Sequence, residues 1–218
     1  MSDDPLARAA PAVSVAGVGA CDVEPLSLPL DPQVAACMNQ WLHATTNAAS
    51  ADTRLFAKLI AARDVHDELA LLGLRPREWH ALLARHFTHA AEVTLPRNVG
   101  MNANTDEHVS FVHSLHALLL THASLTVHPD DAHCVATIIA HACLRPDHLW
   151  RDLGLAGRTE VTWMLTRYFP TLVTLNVANL RWKKFLAAQR ALSLGLLPGP
   201  APGCPGCEDY GYCFPPQR

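Results

Sequence analysis

Leu72–Phe87 reads LGLRPREWHALLARHF and Leu153–Phe169 reads LGLAGRTEVTWMLTRYF. In the first stretch Trp79, Leu82, Leu83 and Phe87 recur at three- and four-residue spacing, which gathers apolar side chains on one face of an α-helix. The Leu-Gly-Leu at the head of each stretch interrupts the helix before it. With one residue of slippage the two align: Glu78-Trp79 over Glu160-Val161, and Leu82-Leu83-Ala84-Arg85-His86-Phe87 over Met164-Leu165-Thr166-Arg167-Tyr168-Phe169. Upstream, Leu59-Ile60-Ala61-Ala62 echoes Ile138-Ile139-Ala140-His141. Two readings stand side by side. Amphipathic helices rich in leucine and alanine resemble one another by chance, or the chain holds two related helical halves.

The same period extends outward. Asp31-Pro32 is a helix start, a capping side chain followed by proline at the first helical position, and Val34, Cys37, Met38, Trp41 and Leu42 follow on one face. Asp52 is the expected cap of the next helix, with Leu55, Phe56, Leu59 and Ile60 inward. Thr105 opens a long helix through Val109, Val112, Leu115 and Leu119, and Pro129-Asp130-Asp131 opens another through Val135, Ile138, Ile139 and Ala142. Asp147 begins a short helical turn to Leu153, Arg158 to Phe169 is helical, and Pro170 is expected to open a last helix to about Leu194. Ala90–Asn104, with Pro96, Gly100 and three asparagines, reads as a loop. No segment alternates with period two, so the expected fold is all-α, a multi-helix bundle. Its expected organisation is a flexible leader over 1–29, a helical domain over 30–194 and a Cys-rich metal-binding tail over 195–218.

Half of the 218 residues are hydrophobic, enough for a sizeable core, and only 6% are aromatic. The formal net charge of -3 gives no global attraction to nucleic acid or an anionic membrane. No apolar run approaches the roughly 18–20 residues of a membrane span. Asp3 and Asp4 stand where a signal peptide would be basic. A reducing cytoplasm is therefore expected, where cysteines serve as metal ligands or buried thiols rather than disulfides. No phosphate loop, nucleophile elbow or dinucleotide fingerprint is present, and nothing argues for an enzyme.

Three of the seven cysteines fall in the tail, Cys204-Pro205-Gly206-Cys207-Glu208-Asp209-Tyr210-Gly211-Tyr212-Cys213. In C-x-x-C a tight turn aims two thiolates at one centre, and Pro205 and Gly206 favour such a turn. A five-residue excursion returns Cys213 to the same centre. Thiolates suit iron-sulfur clusters and zinc. Structural zinc wants four closed ligands, whereas three cysteines holding a cuboidal cluster leave one metal corner open. The spacing alone leaves iron-sulfur, zinc and a metal-free tail all standing.

His148-Leu149-Trp150-Arg151-Asp152-Leu153-Gly154-Leu155 resembles the HLWxDLGL block of the NifQ family. Arg158, Glu160, Phe169-Pro170 and Asn176 follow in the family's order. Arg181-Trp182-Lys183-Lys184-Phe185 is similar to its RWKKF signature, and the tail ends in Cys213-Phe214. The likeness is specific over about Ala136 to Pro215. It implies a carrier, not an enzyme, that holds an iron-sulfur cluster containing molybdenum and donates molybdenum to the iron-molybdenum cofactor of nitrogenase. The implied partners are the cofactor scaffold complex, the nitrogenase iron protein and molybdate or another molybdenum source. The family tail has a fourth cysteine, which would fall at Gly199 here. Three readings follow: an open-corner cluster on Cys204, Cys207 and Cys213, a substituted fourth ligand (Cys37, Cys134, Cys143 or His148), or a cluster-free tail. A small zinc-binding helical interaction module, a metal-free interaction protein and a dithiol redox protein are the alternatives from other classes.

Lys183 and Lys184 have two readings. Near a helix C-terminus their charge complements the macrodipole; functionally it attracts molybdate or stabilises an anionic cluster. His148 is a metal ligand or the cap of the short helix it precedes. Cys37, Cys134 and Cys143 read as buried thiols, and Cys21 as incidental. His113, His116, His133 and His141 read as polar histidines without metalloprotease spacing, and Trp182 and Phe185 as core.

Overall fold

Ala51–Asp64 (α2) and Pro129–Ala142 (α5) bury residues almost all round, the pattern of helices enclosed on every side. The computed structural model describes residues 26–29, 31–88 and 105–216, and no strand occurs among them. Pro32–His43 (α1) packs along α2, and Asp106–Thr121 (α4) along α5. A 3-10 turn, Leu69–Leu72, leads from α2 to Pro76–His86 (α3). On the other side the short Leu149–Leu153 (α6) leads from α5 to Arg158–Tyr168 (α7). Pro170–Val173 (α8), Trp182–Ser193 (α9) and Tyr210–Cys213 (α10) complete the chain. No helix is long and apolar enough to cross a membrane. The expected all-helical fold is what is found. Residues 1–25 of the expected leader, with Cys21, and the loop expected at Ala90–Asn104 lie outside the described residues.

The aligned stretches make reciprocal contacts. Arg85 and His86 at the end of α3 grip Asp131 in the first turn of α5, Arg85 Nε at 2.8 Å and His86 Nε2 at 3.0 Å. Arg167 and Tyr168 at the end of α7 grip Asp52 in the first turn of α2, each donor at 2.6 Å. Gly73 and Gly154 take left-handed φ values of 71° and 72°, which side chains other than glycine's adopt at a cost. Each also lies against the other half. A Cβ on Gly73 would come 2.1 Å from His141 Nδ1, and one on Gly154 would come 2.0 Å from Ala62 Cβ. Ala62 and His141 are themselves the aligned pair. Phe87 and Phe169 end α3 and α7 with nearly the same backbone, φ −136° and −138°, and both are fully buried.

Three expectations need correction. Ser50, not Asp52, caps α2, its hydroxyl accepting from Thr53 N; Asp52 is left to bind Arg167 and Tyr168. The helix begun by Pro170 stops at Val173 instead of running to Leu194. There Asn176 brackets Leu180 through both its amide atoms, Asn179 turns left-handed at φ 51°, and Arg158 donates to Asn179 and Leu180 oxygens. A new helix then starts at Trp182. Third, Leu26–Pro29 is no free leader: Leu26 is buried, and Ser27 donates its N–H and hydroxyl to Glu160 Oε1 at 2.9 Å. Glu160 also binds the fully buried Lys58, whose Nζ lies 2.8 Å from both carboxylate oxygens and donates to Ser27 O.

Candidate metal centre

The corner where α5 hands over to α6 is the floor of the site. Cys143 caps the C-terminus of α5, and Arg145, Pro146, Asp147 and His148 follow before α6 begins. The tail lies against this corner. Gly203 N donates to Cys143 O at 3.0 Å, and a Cβ on Gly203 would sit 1.8 Å from Arg145 O, so only glycine allows so close an approach. A Cβ on Gly206 would likewise come 2.5 Å from Pro146 Cβ. The tail is thus docked on the helical body. Ala201 and Cys204 are buried, and Cys207 and Cys213 half-buried.

Within the tail, Cys204–Gly206 forms a 3-10 turn, and Cys207 N donates to Cys204 O at 2.9 Å, the expected tight turn of C-x-x-C. The excursion to Cys213 is a helical turn, with Tyr210 N on Cys207 O and Cys213 N on Asp209 O. Cys204, Cys207, Cys213 and His148 all line one open pocket, walled by Trp150, Trp182 and Phe214. The three cysteines and His148 share the lining of this pocket, but no three of their ligand atoms lie within 4.8 Å of one another.

Lys183 and Lys184 lie in the first turn of α9, at its positive pole, where they do not complement the macrodipole. Trp182 and Phe185 are buried, as expected. Lys183 is 5% exposed. Its ammonium binds the Asp152 carboxylate and the Asp147 carbonyl, and donates to Arg145 O at 2.7 Å. Its three donors are spent on the floor of the site. Lys184 donates to the Cys213 carbonyl and lies 4.9 Å over the Phe214 ring. Arg181 Nη2 binds Asp209 at 2.6 Å. Lys184 and Arg181 thus clasp the tail, while Lys183 ties together the floor beneath it.

Burial pushes the Cys204 thiol up, against the opposing pull of the Ala201 backbone hydrogen bond and the Lys183 charge; Cys207 and Cys213 add to the rise by their nearness. Burial pushes the enclosed Cys143 up to about 12, with Lys183 again opposing. A metal taken up at Cys204 must therefore displace a proton. His148 precedes α6 but its side chain makes no cap. Its ring is 14% exposed, with Nε2 3.2 Å from Asp209 Oδ2 and 3.5 Å from Glu208 Oε1, and it stacks at 9° on Trp150. Asp147, His148 and Glu208 bring ligand atoms within 4.8 Å of one another. Arg151 Nη1 already bridges the two carboxylates, at 3.1 Å and 3.0 Å.

The remaining candidates stand apart. Cys134 lies nine residues before Cys143, about 13 Å along α5 at 1.5 Å per residue, and burial takes it to about 12. Cys37 faces Asp64, and burial, with that carboxylate, takes it to about 11. His116 and His133 approach each other at 5.4 Å between ring centroids, and His141 is held under Gly73; none joins a group of three ligand atoms among the described residues. Sequence reasoning missed Asp152, Arg145 and Asp209, which anchor Lys183 and Arg181. The invariably polar partners of a buried lysine were the only available signal, and they are distant in sequence.

These features define a class: an all-helical protein with three cysteines and a histidine gathered in one basic, aromatic-walled cavity. The NifQ family model matches residues 55–215. Among curated proteins, Protein NifQ of Klebsiella pneumoniae is 37% identical over 66% of this chain and 85% of its own length. The Protein NifQ homolog of Sinorhizobium fredii is 43% identical over 46% of this chain, and Protein NifQ of Azotobacter vinelandii 44% identical over 37%. The aligned parts span less than half of these last two, 43% and 41%. No solved structure matches. The chain belongs to the NifQ family.

Proposed function

We propose that the chain is a cytoplasmic carrier in nitrogen fixation, holding an iron-sulfur cluster containing molybdenum as cargo and donating molybdenum for the iron-molybdenum cofactor of nitrogenase. The observation that supports this reading is that Cys204, Cys207 and Cys213 line one pocket together with Lys183, Lys184 and Arg181. Soft thiolates favour iron-sulfur and molybdenum centres over hard cations, and fixed positive charge offsets the negative charge that thiolates and sulfides bring. In this reading 195–218 is the metal-binding segment, and Lys183 and Lys184 bind cargo indirectly, by positioning the loops that carry its ligands. The protein turns over no substrate. Its partners are the cofactor scaffold complex, the nitrogenase iron protein and molybdate or another molybdenum source. The reciprocal contacts of the aligned stretches support two related helical halves beneath this segment.

The donor set favours one other reading. Three cysteines and a histidine are also a donor set that structural zinc uses, which would make the chain a zinc-binding interaction module. The test is a cofactor-assembly reaction from purified scaffold complex and iron protein, with this chain, purified anaerobically from molybdate-grown cells, as the sole molybdenum source. Cofactor formation with the wild type and none with Cys207→Ser is the expected result. A colourless, zinc-loaded protein that supports no assembly overturns the carrier reading in favour of zinc.

A further inference from the structure

The tail brings three thiols to the pocket, whereas cuboidal clusters are commonly held by four protein ligands; a fourth donor must come from outside the tail if one exists. We propose that His148 is the fourth protein ligand to the metal cargo, with Asp209 as the residue that orients its ring. The inference rests on the carrier reading.

Four observations carry it. His148 lines the same cavity as the three thiols. Its ring is 14% exposed, so it is not a solvated surface histidine. The ring is not spent on the helix it precedes, since α6 has no side-chain cap. Finally, Nε2 lies 3.2 Å from Asp209 Oδ2, and Asp209 is itself fixed by Arg181 Nη2 at 2.6 Å. A carboxylate beside one ring nitrogen sets the tautomer and frees the other for metal, the usual outer support of a ligating histidine. Nδ1 is then the nitrogen left for the cargo, and the Trp150 stack holds the ring plane.

The other donors fit less well. Cys143 is fully buried beneath Cys204 and is not a wall of the cavity. Asp147 and Glu208 are tied together by Arg151. A neutral imidazole leaves the cluster with one less negative charge than a fourth thiolate would. That makes this corner the easiest to exchange.

The test uses anaerobically purified wild type, His148→Cys, His148→Ala and Asp209→Asn, each poised in the paramagnetic form of its cluster. Pulsed electron paramagnetic resonance should show nitrogen-14 coupling in the wild type. It should be absent from His148→Cys while iron and sulfide per chain stay unchanged. His148→Ala and Asp209→Asn should lose iron to a chelator about tenfold faster than wild type. A wild-type cluster without nitrogen coupling, or iron loss from His148→Ala at the wild-type rate, overturns the ligand assignment and leaves the carrier reading intact. A wild type without iron or sulfide overturns both.

Discussion

In the first half of the helical body Arg85 and His86 at the end of α3 reach across to Asp131, and in the second half Arg167 and Tyr168 at the end of α7 reach back to Asp52. The halves share a plan: a buried central helix, a short turn, a left-handed glycine, and a helix ending on a buried phenylalanine. They differ at the corner after the central helix. In the first half that corner carries Arg63, His66 and Glu68, with Arg63 paired to Glu68 at 2.9 Å, and it borders an open cleft against Asp31 and Arg151. In the second, the corner carries Cys143 to His148 and receives both α9 and the cysteine segment. The scaffold supplies a corner twice; the chemistry exists only where a later segment docks on it.

That comparison can be broken at its joints. The largest effect is expected at Lys58, fully buried in the first half against Glu160 of the second. Lys58→Met leaves a buried carboxylate without its cation and should cost about 3–5 kcal/mol in denaturant unfolding. A loss below about 1 kcal/mol would mean the halves do not depend on this joint. Gly154→Ala should cost about 2–4 kcal/mol, combining a left-handed residue with an overlap on Ala62. Adding Ala62→Gly relieves the overlap but not the backbone strain, so thermal melts of the double variant should recover part of the loss. No recovery would show that the contact between halves is not the cause.

The reciprocal aspartates give a smaller and graded effect. Burial raises the Asp52 carboxyl, but its bonds from Arg167 and Tyr168 outweigh that and hold it below 3.8. Burial likewise raises Asp131, and His86 and Arg85 reverse it. A depressed folded value stabilises the fold above the unfolded value and is lost as pH falls through the folded one. Acid unfolding below about pH 4 should therefore be blunted in Asp52→Asn and Asp131→Asn. At neutral pH Asp131→Asn should cost more, about 2–3 kcal/mol against about 1–2 kcal/mol, because Asp131 and His86 are the more buried pair. Equal acid sensitivity in wild type and both variants would remove these pairs from the account. The smallest effect is at Lys184, whose contacts are to the tail alone. Lys184→Gln should leave the melting temperature unchanged and lower retained metal a few-fold. Lys183→Gln should differ by unfolding the floor of the site, since Asp152 loses its ammonium.

Much of this was legible in the sequence, and the limits have physical causes. The 3.6-residue period of Trp79, Leu82, Leu83 and Phe87 fixed helices because burial of one face is a local pattern. The tight turn of Cys204 to Cys207 was legible because proline and glycine act locally. The break at Asn176 to Asn179 was not, since it depends on Arg158, some twenty residues away, to hold a left-handed asparagine. The burial of Lys183 was hidden for the same reason: its partners come from Arg145, Asp147 and Asp152, across a loop and a helix. The docking of the tail was hidden because glycine reads as flexibility in sequence, whereas Gly203 and Gly206 serve close backbone approach.

The central claim is that the docked cysteine segment of the second half holds a molybdenum-containing iron-sulfur cargo. The most direct measurement is iron, molybdenum, zinc and acid-labile sulfide per chain, in wild type and Cys207→Ser purified anaerobically from molybdate-grown cells. Iron, sulfide and molybdenum in the wild type, lost in Cys207→Ser with the helical circular dichroism intact, is the expected result. Zinc alone, or no metal in either protein, would contradict the account.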